Sequence, residues 1–270
     1  MVSIIITYYN GPQYIEETVK SCLKQTYRDI EIIIMNDCSP IPLPDFDSLH
    51  DEHVRIINNA HNVGVSKNNN IGAANANGNF LLFLGQDDIL EDTHISNMLP
   101  LFQDSRVGFV YCDYSIIDQN GNIVKDNNQY NYKEEYSIFD FATANRIHSC
   151  GLMIRKKYFN AVGGYVVNPK YPNYGEWDLW IRMLEISKGF FCKNVKPYYR
   201  RHGANMTDDS NFYRNRKQLY FYNVDCRKQA YLKSNHSLKQ AIEYYISLTK
   251  YRIWFLLKCI KCRTQKWKLR

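Results

Sequence analysis

The sequence predicts an α/β fold in which helices flank a doubly wound, mostly parallel β-sheet. In the first 115 residues, short apolar runs rich in Ile and Val alternate with segments of helical periodicity, which is typical of repeated βαβ units. Polar residues follow several of these runs, as expected where the carboxyl ends of parallel strands meet at one edge of a sheet. Because short crossovers between parallel strands are right-handed, we expect helices on both faces of the sheet.

Five strands in the first half are predicted by apolar, β-branched runs that polar or turn residues bound. Between the first two, Pro12 suits a first helical turn, and Ile15, Val19 and Cys22 recur at the spacing of one helix face. A second helix is predicted over residues 66–77. The predicted strands comprise residues 2–7, 30–35, 54–58, 80–84 and 107–113.

From residue 116 onward the pattern indicates a mixed continuation of the sheet. The Asn120-Gly121 pair between two apolar runs predicts a β-hairpin. A short strand is predicted over residues 152–154, and apolar residues at near-helical spacing predict a helix after Gly175.

The C-terminal part is predicted to be helical, with one apolar stripe along residues 238–260. Nine Lys or Arg and one acidic residue lie between His236 and Arg270, whereas the rest of the chain carries 25 basic and 26 acidic residues. The net charge of +7 therefore belongs to this tail. We expect no nucleic-acid partner, because the body lacks excess positive charge, whereas the tail suits an anionic surface.

The composition of the 270 residues, with 45% hydrophobic and 23% charged, is that of a globular protein and excludes a chain that is disordered or a coiled coil throughout. No run approaches the ~20 consecutive apolar residues that a membrane-spanning helix needs. The N-terminus also lacks the features of a signal peptide. From these observations we expect a cytoplasmic protein.

Candidate binding residues follow the predicted strands. Asp87 and Asp88 come after a strongly apolar run, and two adjacent carboxylates favour a divalent cation such as Mg²⁺ or Mn²⁺, although Asp88 also suits a helix cap. Tyr9 offers a flat face for a base, and Asp37 offers an acceptor for an imide N–H, as uracil presents. Asp37 is also a common turn residue. No GxGxxG motif follows the first strand, which disfavours a dinucleotide-binding turn.

Two acidic residues, Glu176 and Asp178, lie at the start of a predicted helix beside Trp177 and Trp180. An apolar wall raises a carboxylate pKa toward that of a useful general base, and an acid at this position also stabilises its own helix. Both interpretations stay open here. His202 is a further candidate for a metal or phosphate contact, with a surface or core role as the alternative.

Five motifs within roughly residues 1–205 resemble those of the family 2 glycosyltransferases and follow one another in the same order. Each motif is loose, but their order and spacing together are specific. The resemblance implies a GT-A fold, a nucleotide-sugar donor that is usually a UDP-sugar, a divalent metal (Mn²⁺ or Mg²⁺) and inversion at the anomeric carbon. The motifs are Val2-Ser-Ile-Ile-Ile-Thr-Tyr-Tyr-Asn10, Glu31-Ile-Ile-Ile-Met-Asn-Asp-Cys-Ser39, Asn62-Val-Gly-Val-Ser66 with Asn70, Gln86-Asp87-Asp88 and Glu176-Trp-Asp-Leu-Trp180.

The resemblance also implies roles for individual residues. Glu176 corresponds to the acidic base, with Asp178 as the second candidate. Asp88 lies at the metal-binding end of the family's DxD element, and His202 falls in a stretch that sometimes contributes to the donor and metal site. The implied donor-binding residues are Thr7, Tyr9, Asp37, Asn70, Gln86 and Asp87.

Some positions differ from the residues that the family usually carries. Gln86 stands at the first acid of the DxD element, Cys38 where Gly is common, and Asn69 where Arg often precedes Asn70. We expect these differences to affect metal affinity and turnover, within an unchanged fold.

The implied function is transfer of a sugar to a hydroxyl of a glycan or lipid-linked glycan in surface polysaccharide assembly. Within residues 1–205, the nucleotide-sugar-binding half would comprise residues 1–115 and the acceptor half residues 116–205, followed by a helical, basic extension over 206–270. Two alternatives are a catalytically weak or inactive nucleotide- or glycan-binding module of the same fold, and a nucleotidyltransferase.

The C-terminal extension resembles a segment that lies on an anionic membrane surface. Its predicted helix carries apolar residues at 254–257, and Lys266, Trp267, Lys268 and Arg270 follow. Such docking would place the protein peripherally on the inner face of the membrane. The alternative is a helix that packs on its own domain and leaves a solvated basic end.

Overall fold

The computed structural model describes residues 1–126, 132–171, 174–203, 205 and 209–267, with the backbone alone for 125–126, 209–214 and 261–267. Seven strands form the main sheet in the order β3-β2-β1-β4-β8-β5-β9, and three form a smaller sheet in the order β10-β6-β7. The strands are β1 (Val2–Tyr8), β2 (Ile30–Asn36), β3 (Val54–Asn58), β4 (Phe80–Gly85), β5 (Val107–Cys112), β6 (Ser115–Ile117), β7 (Ile123–Asp126), β8 (Met153–Arg155), β9 (Lys188–Cys192) and β10 (Tyr198–Arg200).

Helices cover both faces of the main sheet, as the sequence predicts. Two single turns of 3-10 helix, at Asp47–His50 and Leu99–Phe102, accompany them. The helices are α1 (Ile15–Leu23), α2 (Val65–Asn75), α3 (His94–Met98), α4 (Asp140–Thr143), α5 (Lys156–Ala161), α6 (Glu176–Leu184), α7 (Asp209–Lys233) and α8 (Leu238–Trp267).

The parallel strands β2, β1 and β4 bring their carboxyl ends to one edge of the sheet. Tyr8 lies beside Asn36 in β2, and Thr7 lies beside Gly85 in β4. All five strands predicted in the first half are present, and each boundary agrees with the prediction to within one residue. The loops that follow these strands therefore emerge side by side, and they form the candidate site.

Alternating side chains of the central strands build one core on each face of the sheet. Ile4 and Ile6 point to the face that α1 covers, whereas Ile5 and Ile33 point to the face of α2 and α6. This alternation follows from the two-residue period of a strand, and the near-continuous apolar runs reflect burial on both faces.

The second half continues the sheet in mixed directions. The β8 strand runs antiparallel to both β4 and β5, between which it lies. The hairpin predicted at Asn120-Gly121 is confirmed, because β6 and β7 pair antiparallel on either side of it. Strand β10 joins the smaller sheet next to β6, and this position brings the segment after Arg200 close to the end of β4.

The two long C-terminal helices pack on the core that α6 faces. Tyr222 and Cys226 of α7, and Tyr244 and Leu248 of α8, are buried in it. The predicted apolar stripe of α8 lies on a different face of that helix and is solvent-exposed. Its exposed members are Leu238, Ile242, Tyr245, Ile253, Leu256 and Ile260.

Within the described ranges, no helix is both long enough and apolar enough to cross a membrane.

Candidate active site

Two carboxylates converge at the end of β4. A methyl group added to Gly85 would lie 2.7 Å from Asp87 Oδ1 and 3.0 Å from Asp88 Oδ2, so both side chains fold back over this glycine. The close approach favours glycine at this position, since a side chain there would collide with both acids. The sequence prediction that the two acids share one location agrees with this geometry.

Asp88 is only 5% exposed, and its Oδ1 accepts a hydrogen bond of 3.1 Å from the backbone N–H of Arg200. Burial raises the pKa of Asp88 well above its usual range, and the neighbouring charge of Asp87 adds to this effect. The alternative role of Asp88 as a helix cap is wrong, because Thr93 precedes the next helix, α3.

Asp87 is held by the segment that follows β10. Its Oδ2 lies 2.8 Å from His202 Nε2 and accepts a hydrogen bond of 3.1 Å from Asn205 Nδ2. The ring of His202 also packs against that of Tyr14, with 5.0 Å between centroids. In this arrangement His202 contacts the carboxylate of Asp87, and its predicted role as a metal ligand stays a prediction.

The paired carboxylates fit a hard divalent cation that a diphosphate also binds. Within the part of the chain that the structure describes, no cluster of three or more His, Cys, Asp or Glu side chains forms a complete protein cage. Mg²⁺ and Mn²⁺ commonly take one or two carboxylates and complete their shell with phosphate oxygens and water. Asp87 and Asp88 would supply those carboxylates, and the cation would offset the repulsion between them.

Gln86 joins the end of β4 to the end of β1. Its Nε2 donates to the carbonyl oxygen of Tyr9 at 2.9 Å, and its Oε1 accepts from the backbone N–H of Tyr9 at 2.8 Å. Gly11 leaves room for this side chain, because a Cβ there would lie 2.0 Å from Gln86 Nε2. Gln86 therefore acts as a backbone clamp, and its predicted donor contact stays a prediction.

The two predicted contacts to the base lie at the ends of β1 and β2. The side chain of Tyr9 is 43% exposed, so its ring is accessible to a ligand. Asp37 is buried, and its carboxylate accepts hydrogen bonds from the N–H groups of Val63 (2.8 Å) and Gly64 (2.9 Å) and from Asn59 Nδ2 (2.9 Å). Three of roughly four acceptor positions on this carboxylate are thus engaged by the loop before α2.

The other two predicted donor-binding residues, Thr7 and Asn70, are both partly buried. Thr7 precedes the end of β1 at a partly buried position beside Gly85. Asn70 lies in α2, where its Nδ2 donates to the carbonyl oxygen of Tyr165 at 2.8 Å and its Oδ1 accepts from the N–H of the same residue at 2.9 Å. In this arrangement Asn70 ties α2 to the loop before α6.

Glu176 is the first residue of α6, with a side chain that is accessible to solvent. Desolvation by the surrounding protein nevertheless raises its pKa. The start of α6 is fixed by α7, because the N–H of Trp177 donates to the hydroxyl oxygen of Tyr222 at 2.6 Å. An exposed carboxylate of raised pKa on a fixed helix start suits a general base.

Asp178, the second candidate base, is engaged in a buried ion pair. Its Oδ2 lies 2.8 Å from Arg182 Nε and 2.7 Å from Arg182 Nη2. The same guanidinium also donates to the carbonyl oxygens of Val162 and Gly164. These contacts anchor α6 to the loop after α5, and they leave Glu176 as the more available carboxylate.

Arg200 is a functional candidate that sequence reasoning missed. It is only 1% exposed, and it contacts Asp88 Oδ1 and the carbonyl oxygen of Asp87. The sequence offers no signal that separates it from its exposed neighbour Arg201, because the two are adjacent residues of one type. Its burial depends on the pairing of β10 with β6, a contact between segments more than 80 residues apart.

Comparison with known proteins agrees with this fold. Residues 3–163 match the family described as "Glycosyl transferase family 2". The crystal structure of S. aureus TarS 1-349 in complex with UDP superimposes with a TM-score of 0.61 at 14% identity, over 90% of this chain and 68% of that chain. The predicted α/β fold of the GT-A type, with additional C-terminal helices, is confirmed.

Two curated relatives extend the match in sequence. The chain is 31% identical over 214 residues to the uncharacterized glycosyltransferase RT0329 of Rickettsia typhi, which covers 77% of this chain and 66% of that protein. It is 30% identical over 220 residues to the UDP-Glc:alpha-D-GlcNAc-diphosphoundecaprenol beta-1,3-glucosyltransferase WfaP of Escherichia coli, covering 77% and 80%. The chain belongs to glycosyl transferase family 2.

Proposed function

We propose that this protein is an inverting glycosyltransferase that moves a sugar from a UDP-sugar donor to a hydroxyl of an acceptor. The observation that carries the proposal is the convergence of Asp87 and Asp88 over Gly85, at the sheet edge where β1 and β2 also end. A nucleoside bound between Tyr9 and Asp37 would place its diphosphate toward the two acids. We assign the reaction to residues 1–205.

A nucleotide-sugar donor is supported by the site and by the relatives. The exposed ring of Tyr9 offers a stacking surface for a base, and Asp37 keeps one acceptor position for an imide N–H. Structures of TarS contain UDP and UDP-GlcNAc, and the name of WfaP specifies UDP-Glc. Thr7, Asn70 and Gln86 would complete this region by fixing the ends of the strands and the loop before α6.

In the proposed reaction, Glu176 accepts the proton of the acceptor hydroxyl as its oxygen attacks the anomeric carbon. The raised pKa of Glu176 strengthens it as a base, and its accessible position lets an acceptor approach. Asp87 and Asp88 would hold the divalent cation, which would supply stabilisation of the negative charge on the departing diphosphate. Attack on the face opposite the diphosphate inverts the configuration.

For the acceptor we propose a lipid-linked glycan in surface polysaccharide assembly. The name of WfaP specifies a diphosphoundecaprenol acceptor. An acceptor of this kind lies at a membrane surface, and α8 presents an exposed apolar stripe beside the exposed basic residues Lys250 and Arg252. We assign peripheral association with the inner face of an anionic membrane to this helix.

The test of the proposed function is UDP release from a panel of UDP-sugars, with and without Mn²⁺. We expect metal-dependent release from one donor, and its loss in Asp88→Ala. UDP binding without release, even after addition of lipid-linked glycans, would instead identify an inactive binding module. Failure to bind any nucleotide would overturn the proposal.

A further inference from the structure

Arg200 joins three separate elements around the paired carboxylates. Its backbone N–H donates to Asp88 Oδ1 at 3.1 Å, and its Nε donates to the carbonyl oxygen of Asp87 at 3.0 Å. Its Nη1 donates to the carbonyl oxygen of Asp118, in the hairpin between β6 and β7, at 3.2 Å. The buried side chain of Arg200 thus holds the backbone of the Asp87-Asp88 loop in place.

The far side of the guanidinium is held by α1 and the residue before it. Arg200 Nη2 lies 2.5 Å from Glu17 Oε2, and the guanidinium carbon lies 4.7 Å from the centre of the Tyr14 ring. The side chain of Glu17 is 55% exposed, so the ion pair joins an exposed carboxylate to the buried guanidinium of Arg200. The neighbouring Thr18 also donates to the carbonyl oxygen of Gln86 at 2.8 Å.

We infer that Arg200 is a positioning residue for divalent-cation binding and that Glu17 holds it in the required orientation. This inference rests on the proposed function, because it concerns the same pair of carboxylates. Asp88 receives the Arg200 backbone N–H, while Nη2 of the guanidinium pairs with Glu17. The Asp87-Asp88 loop is therefore held in position to offer its carboxylates to a cation.

The role of Glu17 follows from electrostatics. Without its carboxylate, the positive charge of Arg200 is left with the acidic side chains of Asp88 and Asp118 near it. The guanidinium would then compete with the divalent cation for Asp88, and Arg200 would lose its ion pair with α1. Both effects weaken binding of the cation, whereas a purely structural ion pair would affect the stability of the fold alone.

The experiment compares Glu17→Gln with Glu16→Gln, because the two acids are neighbours in α1 and Glu16 pairs only with Lys20 among its described ionic contacts. The probe is Mn²⁺ titrated in the presence of UDP, with bound metal measured by electron paramagnetic resonance. We expect the Mn²⁺ dissociation constant to rise about threefold to tenfold in Glu17→Gln, in keeping with a partly exposed charged contact. We expect no change in Glu16→Gln.

Equal Mn²⁺ affinity in Glu17→Gln and wild type would overturn the inference, and so would an equal loss in both variants. The same Mn²⁺ titration of Arg200→Lys provides a second measurement. This variant keeps the positive charge but lacks the planar guanidinium that reaches Asp87 and Asp118. If the wild type binds neither Mn²⁺ nor UDP, the proposed function fails as well. That outcome is distinct from failure of the Glu17 comparison alone.

Discussion

Asp88 is buried beside a second carboxylate, and this arrangement reduces the stability of the fold. Its pKa in the folded state lies above the unfolded value, so the folded protein binds more protons and loses stability as the pH rises through this interval. We therefore expect Asp88→Asn to raise the free energy of unfolding at pH 7.5 by about 1 kcal/mol, while it abolishes turnover.

Urea denaturation at pH 7.5 and pH 5 measures this difference. The advantage of Asp88→Asn should shrink at the lower pH, where the wild-type carboxyl group is more protonated. Asn keeps an acceptor oxygen for the N–H of Arg200, so the hydrogen bond is retained. A variant less stable than wild type at pH 7.5 would contradict the electrostatic account.

Cys38 stands where the family commonly has glycine, and its backbone conformation is one that glycine favours. Its φ angle is +52°, in the left-handed region that glycine adopts without steric cost. We expect Cys38→Gly to raise the free energy of unfolding by about 0.5–1 kcal/mol, because relief of strain exceeds the added entropy of the unfolded chain. Thermal and urea unfolding would measure the gain.

Asn10 provides the control for this substitution. It also has a positive φ angle, +57°, but asparagine tolerates this region better than cysteine. Asn10→Gly should therefore change stability by less than Cys38→Gly. A larger gain at Asn10 would argue against strain as the cause.

The position of a single residue was predictable from the sequence where that residue directly follows a recognisable strand. Asp87 and Asp88 follow an apolar run, and that pattern alone places both at the sheet edge. The backbone clamp of Gln86 was not predictable, because its partner Tyr9 lies 77 positions earlier in the sequence. Arg200 was missed for the same reason, since its partners Glu17 and Asp118 are both distant.

Among the elements, the strands of the first half were the most predictable. Four of them, β1, β2, β4 and β5, are apolar runs buried on both faces, so their patterns need no knowledge of their neighbours. The C-terminal helix α8 was harder, because its apolar residues cover more than one face. The face buried against the core carries Tyr244 and Leu248, whereas the predicted stripe, which includes Ile253 and Leu256, is exposed.

The exposed stripe of α8 predicts binding to anionic vesicles. Loss of two exposed apolar side chains in an Ile253→Gln/Leu256→Gln double variant should weaken binding to phosphatidylglycerol-containing vesicles by about tenfold or more. Cosedimentation with such vesicles measures the effect. Because both positions are at least half exposed, the fold should tolerate the change.

The matched control is Leu232→Gln in α7, which removes an exposed apolar side chain outside the stripe. This variant should bind vesicles like wild type. Unchanged binding of the double variant, or an equal loss in the control, would contradict docking through α8. High salt should also weaken binding, because the basic residues beside the stripe contribute electrostatically.

At the scale of the whole molecule, the proposed site combines residues from both halves of the chain. Asp87 and Asp88 come from the first half, whereas Glu176 comes from a helix whose start is held by Tyr222 of the C-terminal region. The sequence predicted the fold class and the candidate acids, because these follow from local patterns. The contacts that orient them depend on long-range packing and appear only in the structure.

The raised pKa of Glu176 predicts how turnover depends on pH. A general base acts in its deprotonated form, so turnover should fall on acidification at a pH above the ordinary glutamate value of 4.5. A profile of kcat between pH 4 and pH 9 measures this limb. An acid limb below 4.5 would contradict the desolvated environment of Glu176.

The most direct test of the account compares Glu176→Gln with Asp178→Asn in the UDP-release assay, at saturating donor and Mn²⁺. We predict that Glu176→Gln lowers kcat by about 10²- to 10⁴-fold with UDP binding unchanged. Asp178→Asn should keep turnover within a few-fold but lower the stability, because it breaks the buried pair with Arg182. Near-normal turnover in Glu176→Gln, together with loss of turnover in a folded Asp178→Asn, would contradict the account and assign the base to Asp178.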